Sequence, residues 1–245
     1  MQIETILTLA ELPVLAQRDL RATMCVVFDV LRATSTFVTA LHHGAKAIIP
    51  VSEIAEAVAI RKSQPGVLLG GERDGIRISA EGIDFDLGNS PREYTPEKIR
   101  GKTIVSTTTN GTRALRACVG AKTILAASFL NLTATAEFLR QKNFTDILLV
   151  CAGTRENKAD EDVLAAGALI ELLIRDETII SDSAKIARIF YAESKSNLAA
   201  VVSNSENARR LLSIPELRDD VAFCLQRDIF PLVAKMEADG TIRCG

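Results

Sequence analysis

Short runs of β-branched and aliphatic residues alternate, through the first 175 positions, with longer segments whose apolar residues recur every three or four places. The runs predict strands at 3–7, 24–30, 45–50, 66–69, 102–106, 122–126 and 146–151. The periodic segments predict helices over 34–43, 53–62, 112–119, 130–142 and 160–174, each able to lay one face on a sheet. This alternation is the signature of βαβ units. Beyond residue 176 the pattern turns helical, over 182–193, 197–203 and 206–212. Asp239-Gly240 between two short apolar stretches then signals a closing hairpin. The expected fold is α/β: a mostly parallel or mixed sheet flanked by helices, with a helical C-terminal third and a terminal β-hairpin. A chain of 245 residues makes one large catalytic unit or two lobes, with 94–102 and 176–181 as the stretches where a boundary could fall.

Composition narrows the function classes. Hydrophobic residues make up 47% of the chain, and 29 basic side chains against 31 acidic ones leave a net charge of −2, the profile of a soluble globular protein. With no Trp and two Tyr, the chain lacks the basic field and stacking aromatics of a nucleic-acid binder, so that class is excluded. The N-terminal stretch has no basic region and is broken by Glu4, Glu11 and Pro13, and no apolar run reaches the roughly 18 residues of a spanning helix. No signal peptide, anchor or membrane partner is expected. Five Cys, odd in number and widely spaced, predict reduced thiols and a cytoplasmic setting. The two His are adjacent, His42 and His43, which leaves a zinc site little to be built from. A homodimer is the default assembly for a chain of this kind.

Ligands of open α/β sheets bind beyond the carboxyl ends of strands, and four polar clusters follow predicted strands. In CVVFDVLRATST, Asp29 ends a strand and Arg32, Ser35 and Thr36 open a helix. The segments LLGGERDG and IDFDLGNSP supply Glu72, Arg73, Asp86, Asn89 and Ser90, with glycines that permit close backbone approach to a ligand. TIVSTTTNGTRAL places Thr109, Asn110, Gly111 and Arg113 around a helix start, and CAGTRENKADEDVLAAG places Glu161 and Asp162 in a helix's first turn. Each cluster taken singly also reads as a helix cap or a surface turn. Their convergence after strands, with carboxylates for a cation and arginines and hydroxyls for an oxyanion, predicts metal-assisted chemistry on a small phosphorylated molecule.

The spacing argues against membership of several known phosphoryl-transfer superfamilies. Asp29 is followed two places on by Leu31, so the Asp-x-Asp pair of aspartyl-phosphate enzymes is missing. Six residues after Cys25 and Cys151 stand Leu31 and Asn157 rather than Arg, and the His pair lacks a preceding Arg. Neither the Walker A nor the Gly-x-Gly-x-x-Gly spacing occurs.

The strings FDVLRATST, GGERDG with DLGNSP, TTTNGTRAL and CAGTRENKADEDVLAAG, in order over residues 28–168, resemble the 2-phosphosulfolactate phosphatase family, Mg²⁺-dependent enzymes named for a step of coenzyme M biosynthesis. The resemblance implies a family-specific α/β fold and hydrolysis of a phosphate monoester on a small acid. Its motif acids fall on Asp29, Glu72, Asp86 and Asp162, the expected metal ligands, and its motif arginines on Arg32, Arg73 and Arg113. Asp29, Arg32, Glu72 and Asp162 are then the expected catalytic set. Ser35, Thr36, Asn89, Ser90 and the turn from Thr109 through Asn110 and Gly111 to Arg113 would bind substrate, with Arg73 on its carboxylate or sulfonate. Attack on phosphorus by water and by Asp29 both stay open. The stretch TRENKAD at 154–160 and a slightly extended 76–83 depart from the family pattern and bear on the substrate more than on the reaction. The alternatives are a phosphatase for another small phosphorylated hydroxy acid and a non-catalytic anion-binding protein.

Overall fold

The computed structural model describes residues 1–15, 17–80, 82–142 and 144–245. Its strands are β1 Gln2–Ile6, β2 Thr23–Phe28, β3 Ala47–Pro50, β4 Leu68–Arg73, β5 Ile76–Arg77, β6 Ser79–Ala80, β7 Ile83–Asp84, β8 Thr103–Thr107, β9 Thr123–Ala127, β10 Asp146–Cys151, β11 Ile179–Ile180, β12 Ala234–Met236 and β13 Ile242–Cys244. Helices α1 Leu12–Leu15, α2 Ala33–His42, α3 Ile54–Ser63, α4 Pro96–Ile99, α5 Gly111–Ala117, α6 Leu132–Gln141 and α7 Asp160–Leu173 alternate with them. Four more, α8 Asp182–Ser194, α9 Leu198–Ser203, α10 Glu206–Leu212 and α11 Arg218–Cys224, fill the C-terminal third.

Eleven strands form one sheet in the order β11-β1-β10-β2-β9-β12-β13-β3-β8-β4-β5. Strands β1, β10, β2 and β9 run parallel, as do β3, β8 and β4. The expected C-terminal hairpin, β12 and β13, lies between these two groups, antiparallel to β9 on one side and to β3 on the other. The sheet is therefore mixed, and the second parallel group runs opposite to the first along the pairings. Alternation along β2 serves both faces. Met24, Val26 and Phe28 join the core under α6 and α7, and Cys25 and Val27 join the core that includes Phe37 and Val38 of α2. A third core, with Val51, Leu69, Phe85 and Val105, lies beneath α3. Among the described residues no helix is long and apolar enough to cross a membrane.

Two expectations change. Strand β4 does not stop at Leu69 but runs on through Gly70, Gly71 and Glu72 to Arg73. Its glycines answer packing rather than a ligand, because a Cβ at Gly70 would stand 2.4 Å from the Tyr94 hydroxyl and one at Gly71 2.2 Å from the Thr107 carbonyl. The stretch 76–83, which no predicted element covers, carries β5, β6 and the start of β7, with Glu81 outside the described residues. Helix α11 has no counterpart in the predicted elements.

Helices α7 and α8 meet at Gly167, where a Cβ would come 2.2 Å from the Ala187 carbonyl oxygen and 2.7 Å from Tyr191 Cβ. Gly167→Ala gains helix propensity of about 1 kcal/mol but must push two backbones apart. The expected net result is a loss of about 2 kcal/mol, read as a lower midpoint in urea-induced unfolding.

Candidate active site

β2 and β4 are six places apart in the sheet order, so a flat sheet would hold them about 29 Å apart. The two strand ends nevertheless meet, since Arg32, three residues past Asp29, bonds the Gly75 carbonyl, three residues past Glu72. Asp29, just past β2, and Glu72, the penultimate residue of β4, face one cleft. The wall also holds Leu31, Arg32, Asp74, Gly75, Asn89, Thr109 and Asn110, Thr154 and Arg155 of the 154–160 stretch, and Asn207, Arg210 and Leu211 of α10.

Asp29 is 9% exposed and Glu72 6%. The Ala33 N–H donates to Asp29 Oδ1 at 3.2 Å, and α5 starts so close by that a Cβ at Gly111 would stand 2.6 Å from Asp29 Oδ2. Glu72 is fixed on both oxygens: Oε1 accepts the Thr109 N–H and hydroxyl, each at 3.0 Å, and Oε2 accepts the Gly75 N–H at 2.7 Å. Behind them Asp162 ties two strand ends together, accepting the Val30 N–H at 2.7 Å and the Gly153 N–H at 3.0 Å. Its neighbour Glu161 is fully buried, with Oε1 accepting from Asn207 Nδ2 at 2.8 Å and Oε2 unpartnered.

These carboxylates repel one another. Burial pushes Asp29 up to about 7 against the opposing Ala33 N–H, and the Glu72 and Glu161 charges add to the rise. Burial, followed by the Asp29 and Glu161 charges, raises Asp162 well above the ordinary carboxylate range. Glu161 is raised by burial despite its bond from Asn207. Among the described residues no three His, Cys, Asp or Glu side chains converge on one point closely enough to grip an ion as placed. The chemistry of the donor set still suits a hard divalent cation: the donors are carboxylate oxygens, two of the side chains face the cleft, and their mutual repulsion is what a bound cation relieves.

Arg32 is 3% exposed. Its Nη1 donates to Asp220 Oδ2 at 2.8 Å and its Nη2 to the Gly75 carbonyl at 2.7 Å. Asp220, on α11 and wholly buried, also accepts the Ser90 hydroxyl at 2.7 Å. The other hydroxyls expected on substrate build the wall instead: Ser35 donates to the Val30 carbonyl and Thr36 to the Asn89 carbonyl, both at 2.8 Å. Asn110 Nδ2 donates to the Gly153 carbonyl at 2.9 Å, and its Oδ1, like Asn89 Oδ1, is buried without a partner.

Three expected site residues lie elsewhere. Asp86 does not line the cleft; its Oδ2 accepts the Leu69 N–H at 2.7 Å and is paired with Arg61, which ties the 84–88 segment to β4. Arg73 turns away, donating to the Glu72 and Ser52 carbonyls and to Thr107 Oγ1. Arg113 is exposed and lines a separate groove with Arg116 and Glu156. Conversely, Asp220, Asn207 and Arg210 stand in none of the predicted clusters, and Glu161 stands in one without an expected role. Only Glu161, beside Asp162 in an apolar helix, carried a local signal.

An α/β sheet that brings buried carboxylates and an anchored guanidinium to one small cleft defines a protein built to handle a small anion. The family model described as 2-phosphosulpholactate phosphatase matches residues 11–239. Curated relatives named "Probable 2-phosphosulfolactate phosphatase" include one from Thermotoga petrophila, 46% identical over 208 residues that cover 85% of this chain and 86% of the relative. Another, from Caldanaerobacter subterraneus subsp. tengcongensis, is 42% identical over 92% of each chain, and one from Synechococcus sp. is 38% identical over 89% and 90%. The chain belongs to the 2-phosphosulpholactate phosphatase family.

Proposed function

We propose that this protein is a phosphoric monoester hydrolase that converts 2-phosphosulfolactate to 3-sulfolactate and inorganic phosphate with the help of Mg²⁺. The observation that carries the reading is the cleft in which Asp29 and Glu72 face the anchored Arg32, in a chain that belongs to this family over most of its length. Asp29 and Glu72 are the residues to hold Mg²⁺, with Asp162 and Glu161 buried behind them. When bound, the ion neutralises charge on phosphoryl oxygens. Arg32 supplies the remaining positive charge, and its bonds to Asp220 and Gly75 hold the guanidinium in one orientation, so that little ordering is left for the moment of reaction. The departing stretch 154–160 places Thr154 and Arg155 in the wall, where it shapes the substrate rather than the phosphoryl chemistry.

The test is phosphate release from a panel of small phosphorylated acids, first with Mg²⁺ and then with chelator. The expected result is chelator-sensitive release that favours 2-phosphosulfolactate, with Mg²⁺ also raising the melting temperature of chelator-treated protein. Preference for an ester without the sulfonate would move the substrate, and no release at any Mg²⁺ concentration would sink the reading.

A further inference from the structure

The cleft holds more positive charge than phosphate binding has used. Three arginines line it: Arg32, Arg155 and Arg210. Arg32 is matched by the buried Asp220. Arg155 is 76% exposed along its side chain, so water already solvates it, and Glu206 lies 3.8 Å from its Nη1. Arg210 differs from both. Its Nη2 donates to Asn207 Oδ1 at 3.1 Å, but its Nε–H is buried with no partner, and the guanidinium enters no ion pair among the described residues. Buried donors are rarely left unmatched, and a guanidinium recognises a carboxylate, sulfonate or phosphate through paired N–H groups.

The surroundings aim this group at a ligand. Asn207 fixes it: the same side chain that accepts from Arg210 donates to Glu161 Oε1 at 2.8 Å and to Thr154 Oγ1 at 2.6 Å. On the cleft side stands Gly75, where a Cβ would lie 3.6 Å from Arg210 Nε and 4.0 Å from Arg32 Nη2. The bare glycine leaves open the space onto which both guanidiniums converge. A ligand with one acid group near Arg32 would thus meet Arg210 with a second acid group a few bonds away.

We infer that Arg210 binds the substrate's second acid group, the carboxylate or sulfonate that is not hydrolysed, and so selects phosphate esters that carry such a group. This rests on the phosphatase reading above and assigns to Arg210 the role that Arg73, turned into the wall, does not fill. Arg210 is a specificity residue and takes no part in breaking the P–O bond.

The test compares wild type, Arg210→Ala and Arg210→Lys on three esters: 2-phosphosulfolactate, 2-phospholactate, which lacks the sulfonate, and the phosphate ester of 2-hydroxyethanesulfonate, which lacks the carboxylate. A charge-assisted hydrogen bond in a buried site predicts that deleting the group read by Arg210 lowers wild-type kcat/KM about 30-fold. In Arg210→Ala the same deletion should cost less than threefold, with Arg210→Lys between the two. Which ester shows this pattern tells carboxylate from sulfonate. If Arg210→Ala pays the wild-type penalty for both deletions, the inference is overturned. Calorimetric binding of 3-sulfolactate, lactate and 2-hydroxyethanesulfonate to wild type and Arg210→Ala asks the same question without turnover. Should wild type release no phosphate from any ester, the phosphatase reading fails while this binding comparison still decides the role of Arg210: an equal preference in both proteins rejects it, and a preference lost in the variant upholds it.

Discussion

Asp29→Asn is expected to lower phosphate release at least 10³-fold while the protein stays folded. The substitution keeps the shape of the side chain and the acceptor for the Ala33 N–H. It removes the charge that faces Glu72 across the cleft and with it one of the two carboxylates proposed to hold Mg²⁺. Stability should move the other way. In chelator-treated wild type the Asp29 carboxyl is pushed up to about 7, whereas in the unfolded chain it titrates near 4. Between those values the unfolded chain gives up its proton and the folded one keeps it, so this group's contribution falls as pH rises from about 4 to about 7. Asp29→Asn should flatten that decline in part, because Asp162 and Glu161 remain raised by the same burial. Phosphate-release assays and thermal melts at pH 5 and pH 8 check both halves. Turnover within tenfold of wild type would remove Asp29 from the mechanism.

Asp220→Ala carries the second largest expected effect, although its Cα lies on a helix remote in sequence from every predicted cluster. It leaves the Arg32 guanidinium, 3% exposed along its side chain, without its counter-charge and the Ser90 hydroxyl without an acceptor. Removing one partner of a buried ion pair costs about 3–5 kcal/mol, chiefly because the other charge stays buried alone. Arg32 freed from its anchor should also lower kcat/KM about 100-fold, since an ordered guanidinium contributes by being in place before the reaction. The double variant Arg32→Met with Asp220→Leu separates the two effects. It should recover most of the lost stability, because no unpaired charge remains, yet stay inactive. Urea unfolding and phosphate release measure the pair. A cost below about 1 kcal/mol for Asp220→Ala would show that the pair does not hold Arg32.

Much of the fold follows from local pattern. The apolar runs became strands because residues buried on both faces of a parallel sheet are apolar almost without break, and α10, Glu206–Leu212, forms over the predicted span. Helix α11 leaves no helical signature in the sequence, because its seven residues carry three charges and little apolar period. The site was partly legible for a related reason. Asp29, Arg32, Glu72, Asn89, Thr109 and Asn110 follow or end strands, and chain position alone brings such residues to a sheet's rim. Asp86, Arg73 and Arg113 have the same residue types in similar places, but one is tied to Arg61 and Leu69, one to carbonyls within the wall and one faces solvent.

What the sequence by itself determined, then, is the alternation of strands and helices, the terminal hairpin and the set of polar residues delivered to strand ends, because hydrophobic period and turn chemistry act over a few residues. Only the tertiary structure decided which of those residues meet. The hairpin joins two parallel groups, and Asp29 and Glu72 arrive at one cleft although six strand positions separate their strands. It also decided the partners of that cleft: Arg32 finds Asp220 188 residues further on, and Asn207 reaches back 46 residues to Glu161. Pairings at such separations leave no periodic trace in the chain, because they depend on where the helices of the C-terminal third pack and not on what stands beside each residue.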